Sequence, residues 1–119
     1  LLPREYSEEY NINVGEYLKE LDLLKGFMVN ERLQPVQFNK GKLSVIDTKN
    51  SYMAKVTVQG DSDIIYGYNC KYMMEILKHF KAEKTVSIRI SNPYTPIILD
   101  NNCGTIVLLT TMRLSQMAA

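Results

Sequence analysis

The sequence of 119 residues contains no tryptophan, a single histidine, His79, and two cysteines, Cys70 and Cys103. The cysteines have no CxxC spacing and no histidine pair nearby, which argues against a disulfide framework or a zinc site and favours reduced cytosolic thiols. A lone histidine without an aspartate or cysteine at a characteristic spacing cannot form a hydrolytic triad. We therefore expect no metal and no catalytic residue.

Sequence motifs for cofactors and membranes are missing as well. There is no GxGxxG, Walker or HExxH motif, no signal peptide, and no run near the roughly 20 apolar residues of a membrane span. The 14 basic and 13 acidic residues give a net charge of +1, unlike proteins that grip nucleic acid by counterion release. We expect no cofactor and no membrane partner, and any DNA contact must rest on local charge or topology.

Two segments echo each other at a fixed offset. The sequence YLKEL at 17–21 recurs as YMMEI at 72–76, and each copy follows an alternating, strand-like run, at 10–14 and 64–68. The echo predicts one strand-turn-helix unit used twice. Because the chain starts with Leu1 and not with methionine, we also expect residues upstream of it.

Periodicity and turn residues predict the same order of elements in both halves. A helix is expected from Gly15 to about Val29 and another, with Asn69 as N-cap, to about Lys81. The predicted strands are 10–14, 36–39, 42–48, 52–59, 63–68, 85–91, 95–99 and 105–113. Each half thus has the order β-α-β-β-β, which predicts an α+β fold with two helices packed on antiparallel sheets. We expect one domain over 1–119, pseudo-repeats of about 9–60 and 61–114, and a disordered tail at 115–119.

The predicted helices each have an apolar face. On the first helix it comprises Tyr17, Leu21, Leu24 and Met28, and on the second Tyr72, Met73, Ile76, Leu77 and Phe80. The opposite face of the second helix carries Lys71, Met74, Lys78 and Lys81. A solvated surface and weak phosphate contact explain these lysines equally well.

The ends of two elements are candidate interfaces. Phe27 lies off the main apolar stripe at the end of the first helix, and Met28 fits the core and an interface equally well. The last strand is continuously apolar over 106–109 and mixed beyond it, where Met112 is an adaptable contact residue.

Five short motifs occur in a characteristic order along nearly the whole chain. They are Leu2-Pro3, Asn30-Glu31-Arg32, Tyr68-Asn69-x-x-Tyr72, Thr95-Pro96 and Met112-Arg113-Leu114. With the duplicated unit, this set resembles the third, C-terminal domain of the bacterial sliding clamp, the β subunit of DNA polymerase III.

The resemblance implies a noncatalytic bacterial cytoplasmic protein, a homodimer of three-domain chains whose ring encircles double-stranded DNA. Its partners would be the clamp loader, DNA polymerase III and other proteins that bind through short linear peptides. The implied groove residues are Leu1, Thr95, Pro96, Leu108, Leu109, Thr110, Thr111, Met112 and Arg113. The implied DNA-facing residues are Lys19, Lys25, Lys71, Lys78 and Lys81, and Phe27 with Met28 would contact the neighbouring subunit.

The chain also departs from the family pattern. Thr110-Thr111 replaces an apolar residue followed by proline, so the groove floor would be more polar, and Lys55 stands in a strand that is often acidic at the subunit junction. Two alternatives stay open: a free-standing clamp-like protein of a phage or mobile element that binds or inhibits replication proteins, and a hydrolase with an unrecognised site.

Overall fold

The structure is a computed structural model that describes residues 8–28, 35–47, 52–60, 62–80 and 82–112. In these ranges it contains ten helices and strands in the predicted order. They are β1 (Glu8–Asn13), α1 (Val14–Lys25), β2 (Val36–Asn39), β3 (Lys42–Asp47), β4 (Tyr52–Thr57), β5 (Tyr66–Tyr68), α2 (Cys70–His79), β6 (Thr85–Ile90), β7 (Ile97–Asp100) and β8 (Ile106–Leu109). The order β-α-β-β-β therefore occurs twice, and the α+β fold class is confirmed. The tail predicted at 115–119 lies outside the described residues.

The eight strands form two antiparallel sheets. Sheet A has the order β1-β6-β7-β8 and sheet B the order β4-β3-β2-β5. Each sheet combines the last three strands of one half with the first strand of the other, so the two halves exchange their first strands. The backbone N–H of Met112 donates to the carbonyl of Gly67 at 2.8 Å, which ties the chain beyond β8 to sheet B.

Both helices begin at an asparagine cap. The side chain of Asn13 accepts a hydrogen bond from the Glu16 N–H at 2.9 Å, and that of Asn69 accepts one from the Tyr72 N–H at 3.1 Å. Each bond satisfies a backbone donor that has no partner inside the helix. The predicted cap at Asn69 is confirmed, and Asn13 is its counterpart in the first half.

The helices end earlier than their periodicity predicts. Gly26, Phe27 and Met28 donate to the carbonyls three residues before them, at 2.9–3.2 Å. Such bonds tighten the last turn and end the regular helix. Phe27 and Met28 therefore follow α1 instead of forming its last turn.

The structural repeat lies one residue away from the sequence echo. The buried positions Val14, Tyr17, Leu21 and Leu24 of α1 match Cys70, Met73 and Leu77 of α2 and Phe80, its C-cap. The offset is the one that separates Asn13 from Asn69. Met73 thus takes the place of Tyr17. The prediction that Tyr72 belongs to the core is wrong, since its side chain is 56% exposed. The prediction that Met74 lies on the exposed basic face is also wrong, since Met74 is only 7% exposed.

Four tyrosines occupy the centre of the core, where the two halves meet. The hydroxyls of Tyr10 and Tyr66 hydrogen-bond to each other, and those of Tyr17 and Tyr68 do so at 2.8 Å. The Phe38 ring stacks between the rings of Tyr10 and Tyr66, with centroid distances of 5.3 and 5.2 Å. Burial raises the pKa of all four tyrosines. Each bond joins the halves, so the core is shared. In the described part of the chain, neither helix is long and apolar enough to cross a bilayer.

Candidate functional site

An open groove of about 830 Å³ runs between α2 and β8, and we call it the α2–β8 groove. Its wall on α2 is the flank next to the buried stripe, where Tyr72 and Ile76 are partly exposed. Its other wall is β8, the edge strand of sheet A, and the residues that follow it. The lining residues are Asn69, Tyr72, Glu75, Ile76, His79, Val107, Leu108, Leu109, Thr110, Thr111 and Met112.

Burial differs along the β8 wall. Leu109 is 5% exposed and belongs to the core, whereas Leu108 is 38% exposed. The Gly67–Met112 backbone bond holds the chain beyond β8 against β5. A mainly apolar trough with a few polar groups along it is the ordinary form of a ligand or peptide site.

Five of the predicted groove residues, those from Leu108 to Met112, lie together in this groove. Thr95 is adjacent, since the hydroxyl of Thr111 donates to its carbonyl at 3.3 Å. Pro96 follows Thr95 and does not line the groove as described. Leu1 and Arg113 lie outside the described residues.

The α2 wall was missed in the sequence. The groove includes Asn69, Tyr72, Ile76 and His79, but helical spacing assigned Tyr72 and Ile76 to the apolar face that packs in the core. The two asparagine caps carry the correct register, and aligning the halves on them predicts an exposed Tyr72.

The first half has an equivalent groove of about 440 Å³ between α1 and β4. Its helical wall is charged, because Glu16, Lys19 and Glu20 occupy the positions that Tyr72, Glu75 and Ile76 have on α2. The two halves therefore have grooves of the same construction. Only the α2–β8 groove has apolar side chains at these helical positions, which favours it as the site for an apolar partner.

Four of the five predicted DNA-facing lysines lie on the two adjacent helices, which touch where the Cys70 thiol meets the Leu21 carbonyl at 3.8 Å. Lys71 and Lys78 are exposed on the flank of α2 away from the groove. Lys19 and Lys25 are also exposed, and Lys81 lies outside the described residues. Lys19 lies between Glu16 and Glu20 in the α1–β4 groove. The helix pair therefore has side chains of both charges on its surface.

Phe27 and Met28 have different surroundings although they are adjacent. The Phe27 side chain is 49% exposed, and Met28 packs partly buried against the core. Of the two, Phe27 is the residue with apolar surface available to another molecule.

Charges on the outer face of sheet A are paired. Arg89 on β6 binds Glu9 at 2.5 Å and Asp100 at 2.6 Å. The hydrogen bond from Arg89 lowers the pKa of Asp100 and is the largest cause of that shift. Among the described residues no group of three or more His, Cys, Asp or Glu side chains could hold a metal ion.

Neither a protein-family model nor a curated protein sequence matches the chain. Solved structures of bacterial clamps do. The sliding clamp of Caulobacter crescentus matches with a TM-score of 0.77 and 17% identity over 94% of this chain and 31% of that one. The DNA polymerase III subunit β of Pseudomonas aeruginosa matches with a TM-score of 0.74 and 16% identity, over 95% and 33%.

The β clamp of Helicobacter pylori, bound to a DNA ligase peptide, matches with a TM-score of 0.69 and 16% identity, over 94% of this chain and 31% of that one. The chain therefore spans about a third of the length of these proteins. At such identities the likeness establishes the fold.

Proposed function

Because the chain has the fold of a domain-sized segment of bacterial DNA polymerase III β sliding clamps, we propose that it is a clamp domain, the third of its chain. It has no catalytic role and acts in the bacterial cytoplasm as part of a ring that encircles DNA and tethers the polymerase. The observation that supports this most is the match over 94% of the chain. The apolar groove and the half-exposed Phe27 supply surfaces for the two kinds of contact that such a ring needs.

The α2–β8 groove is proposed to hold half of the site for short linear peptides of clamp-binding proteins. Leu108, Met112, Tyr72 and Ile76 give it apolar contact surface for peptide side chains. Thr110 and Thr111 add hydroxyls, which favour a peptide that presents a hydrogen-bonding group at this end. Leu1, Pro96 and Arg113 complete the proposed set from the flanking chain.

The exposed lysines of the helix pair are proposed to face DNA. Contacts from Lys19, Lys25, Lys71, Lys78 and Lys81 to phosphates would be independent of sequence, because the backbone is the same at every base pair. Mixed charge keeps the attraction weak, and weak contacts allow a ring to slide. A clamp loader would be needed to open and close such a ring around DNA.

Peptide binding to this chain can be tested with the DNA ligase peptide present in the H. pylori structure. We expect the peptide, titrated into ¹⁵N-labelled chain, to shift backbone amide signals along α2 and the 108–112 segment. NMR is suited to this test because half of a groove binds weakly. Shifts confined to other surfaces, or none at saturating peptide, would reject the groove assignment.

A variant pair makes the peptide test specific. Tyr72→Ser removes a 56% exposed side chain from the α2–β8 groove, whereas Leu23→Ser removes an equally exposed apolar side chain from α1, outside the groove. We expect Tyr72→Ser to reduce the shifts several-fold, and Leu23→Ser to leave them unchanged.

Ring formation is tested on the cellular protein that carries this segment. We expect it to remain on circular DNA in high salt and to leave when the DNA is linearised, because topology and not charge would hold it. Equal loss from circular and linear DNA would argue against encirclement.

The subunit contact is tested separately by sedimentation. Phe27→Glu should shift a dimer toward monomer, and Tyr94→Glu, as the control, should not.

A further inference from the structure

The outer face of sheet B carries several lysines, and none of the described residues that line it is acidic. By register, Gln37 pairs with Ser44 and Ser44 with Lys55, while Lys42 pairs with Thr57. Directly paired residues point to the same face of a sheet, so Lys42 and Lys55 share a face and lie on the diagonal. Lys40 joins them from the turn between β2 and β3.

These lysines border a shallow depression of about 390 Å³ on the outer face of sheet B. We use the name sheet B face for the residues that line this depression. Its members are Gln37, Asn39, Lys40, Lys42, Ser44, Ile46, Met53 and Lys55. Met53 is 56% exposed there, beside the partly exposed Ile46. The face thus combines an apolar patch with a rim of three cations.

The charges of the two sheets differ in their pairing. On sheet A the guanidinium of Arg89 is neutralised by Glu9 and Asp100. On the sheet B face, Lys42 donates to the Thr57 hydroxyl at 2.7 Å, and the described residues place no carboxylate in the depression. Lysines that have no carboxylate partner among the described residues, placed around an apolar patch, complement a ligand that carries carboxylates and an apolar side chain.

We propose that the sheet B face binds an acidic linear segment of a partner protein that carries an apolar side chain. The apolar side chain lies on Met53 and Ile46, and acidic residues on either side of it reach Lys40, Lys42 and Lys55. A nucleic acid fits less well, because the described residues of the face include neither an aromatic side chain for base stacking nor an arginine fork for phosphate. This site is separate from the α2–β8 groove.

The test uses fluorescence anisotropy with the 119-residue chain and a labelled peptide of glutamates and aspartates around one leucine. Lys55→Glu should raise its Kd about three- to fivefold, because an exposed ion pair is lost and the new carboxylate repels the peptide. Lys84→Glu, an equal charge change on an exposed residue outside the depression, should change Kd less than about twofold. Equal effects of the two variants would overturn the proposal.

The apolar contact has its own comparison. Met53→Ser should weaken binding of the leucine peptide severalfold but leave a peptide with serine in place of leucine unaffected. A matched peptide with amides for carboxylates should bind much more weakly. The proposal fails if oligothymidylate binds as tightly as the acidic peptide, or if Lys55→Glu changes the self-association of the chain but not its peptide binding.

Discussion

Because of its four core tyrosines, this protein should become less stable at alkaline pH. Tyr10, Tyr17, Tyr66 and Tyr68 are buried, and burial raises the pKa of each hydroxyl above its ordinary value of 10. The folded state therefore keeps these protons at a pH where the unfolded chain loses them. Their contribution is complete below about pH 10 and declines as the pH rises above it.

We predict a steep loss of stability in base. The free energy of unfolding should stay level up to about pH 9.5 and then fall by about 1.4 kcal/mol per pH unit for each tyrosine that ionises only on unfolding. Urea titrations at a series of pH values measure this slope. In Tyr17→Phe the free energy of unfolding should fall less steeply with pH, by about 1.4 kcal/mol per pH unit. An unchanged slope would mean that Tyr17 ionises in the folded state.

On the scale of elements, α2 carries both the core stripe and the groove wall, one residue apart. Met73 is fully buried at the position equivalent to Tyr17, and Tyr72 is 56% exposed beside it. Adjacent residues of a helix point about 100° apart, so their contacts are independent. Substitutions at the two positions should therefore affect different properties.

Met73→Ala should lower the free energy of unfolding by about 2–5 kcal/mol, because it leaves a cavity in the core. Tyr72→Ala should change it by less than about 1 kcal/mol and should weaken peptide binding instead. Chemical denaturation and the peptide titration separate the two effects. A larger loss of stability in Tyr72→Ala than in Met73→Ala would mean that Tyr72, and not Met73, is the buried equivalent of Tyr17.

The element order, the fold class and the α1 core could be predicted, because alternation and helical spacing are strong in those segments. The α2 face could not, because Tyr72 and Met73 are adjacent and both apolar, so helical spacing includes Tyr72 in the predicted core stripe. Hydrophobicity cannot decide between Tyr72 and Met73, whereas the caps Asn13 and Asn69 can, since each fixes where its helix begins. The groove needed tertiary structure, because its walls are distant in sequence.

At the scale of the whole molecule, the exchanged first strands make the halves interdependent. β1 belongs to the sheet of the second half, and β5 to that of the first. A half alone would have a three-stranded sheet with an unpaired edge and a displaced strand. The core tyrosine bonds would also be lost, since each joins one half to the other.

We predict that fragments 1–60 and 61–119 do not fold separately but assemble when mixed. Each fragment alone should give the narrow amide dispersion of an unfolded chain in ¹H–¹⁵N spectra, and an equimolar mixture should recover the spectrum of the intact protein. Dispersed spectra from either fragment alone would contradict a shared core. A mixture of 61–119 with the Tyr17→Asp form of 1–60 is the control that should not assemble.

The bond between Tyr10 and Tyr66 joins equivalent residues of the two halves, so it lies on the axis that relates them. In a homodimer of a single β-α-β-β-β unit the same contact would be isologous, with one tyrosine meeting its own copy across the two-fold axis. A substitution of either tyrosine changes the contact of the other. The two positions should therefore vary together, as would one position of a symmetric dimer that was later joined into a single chain.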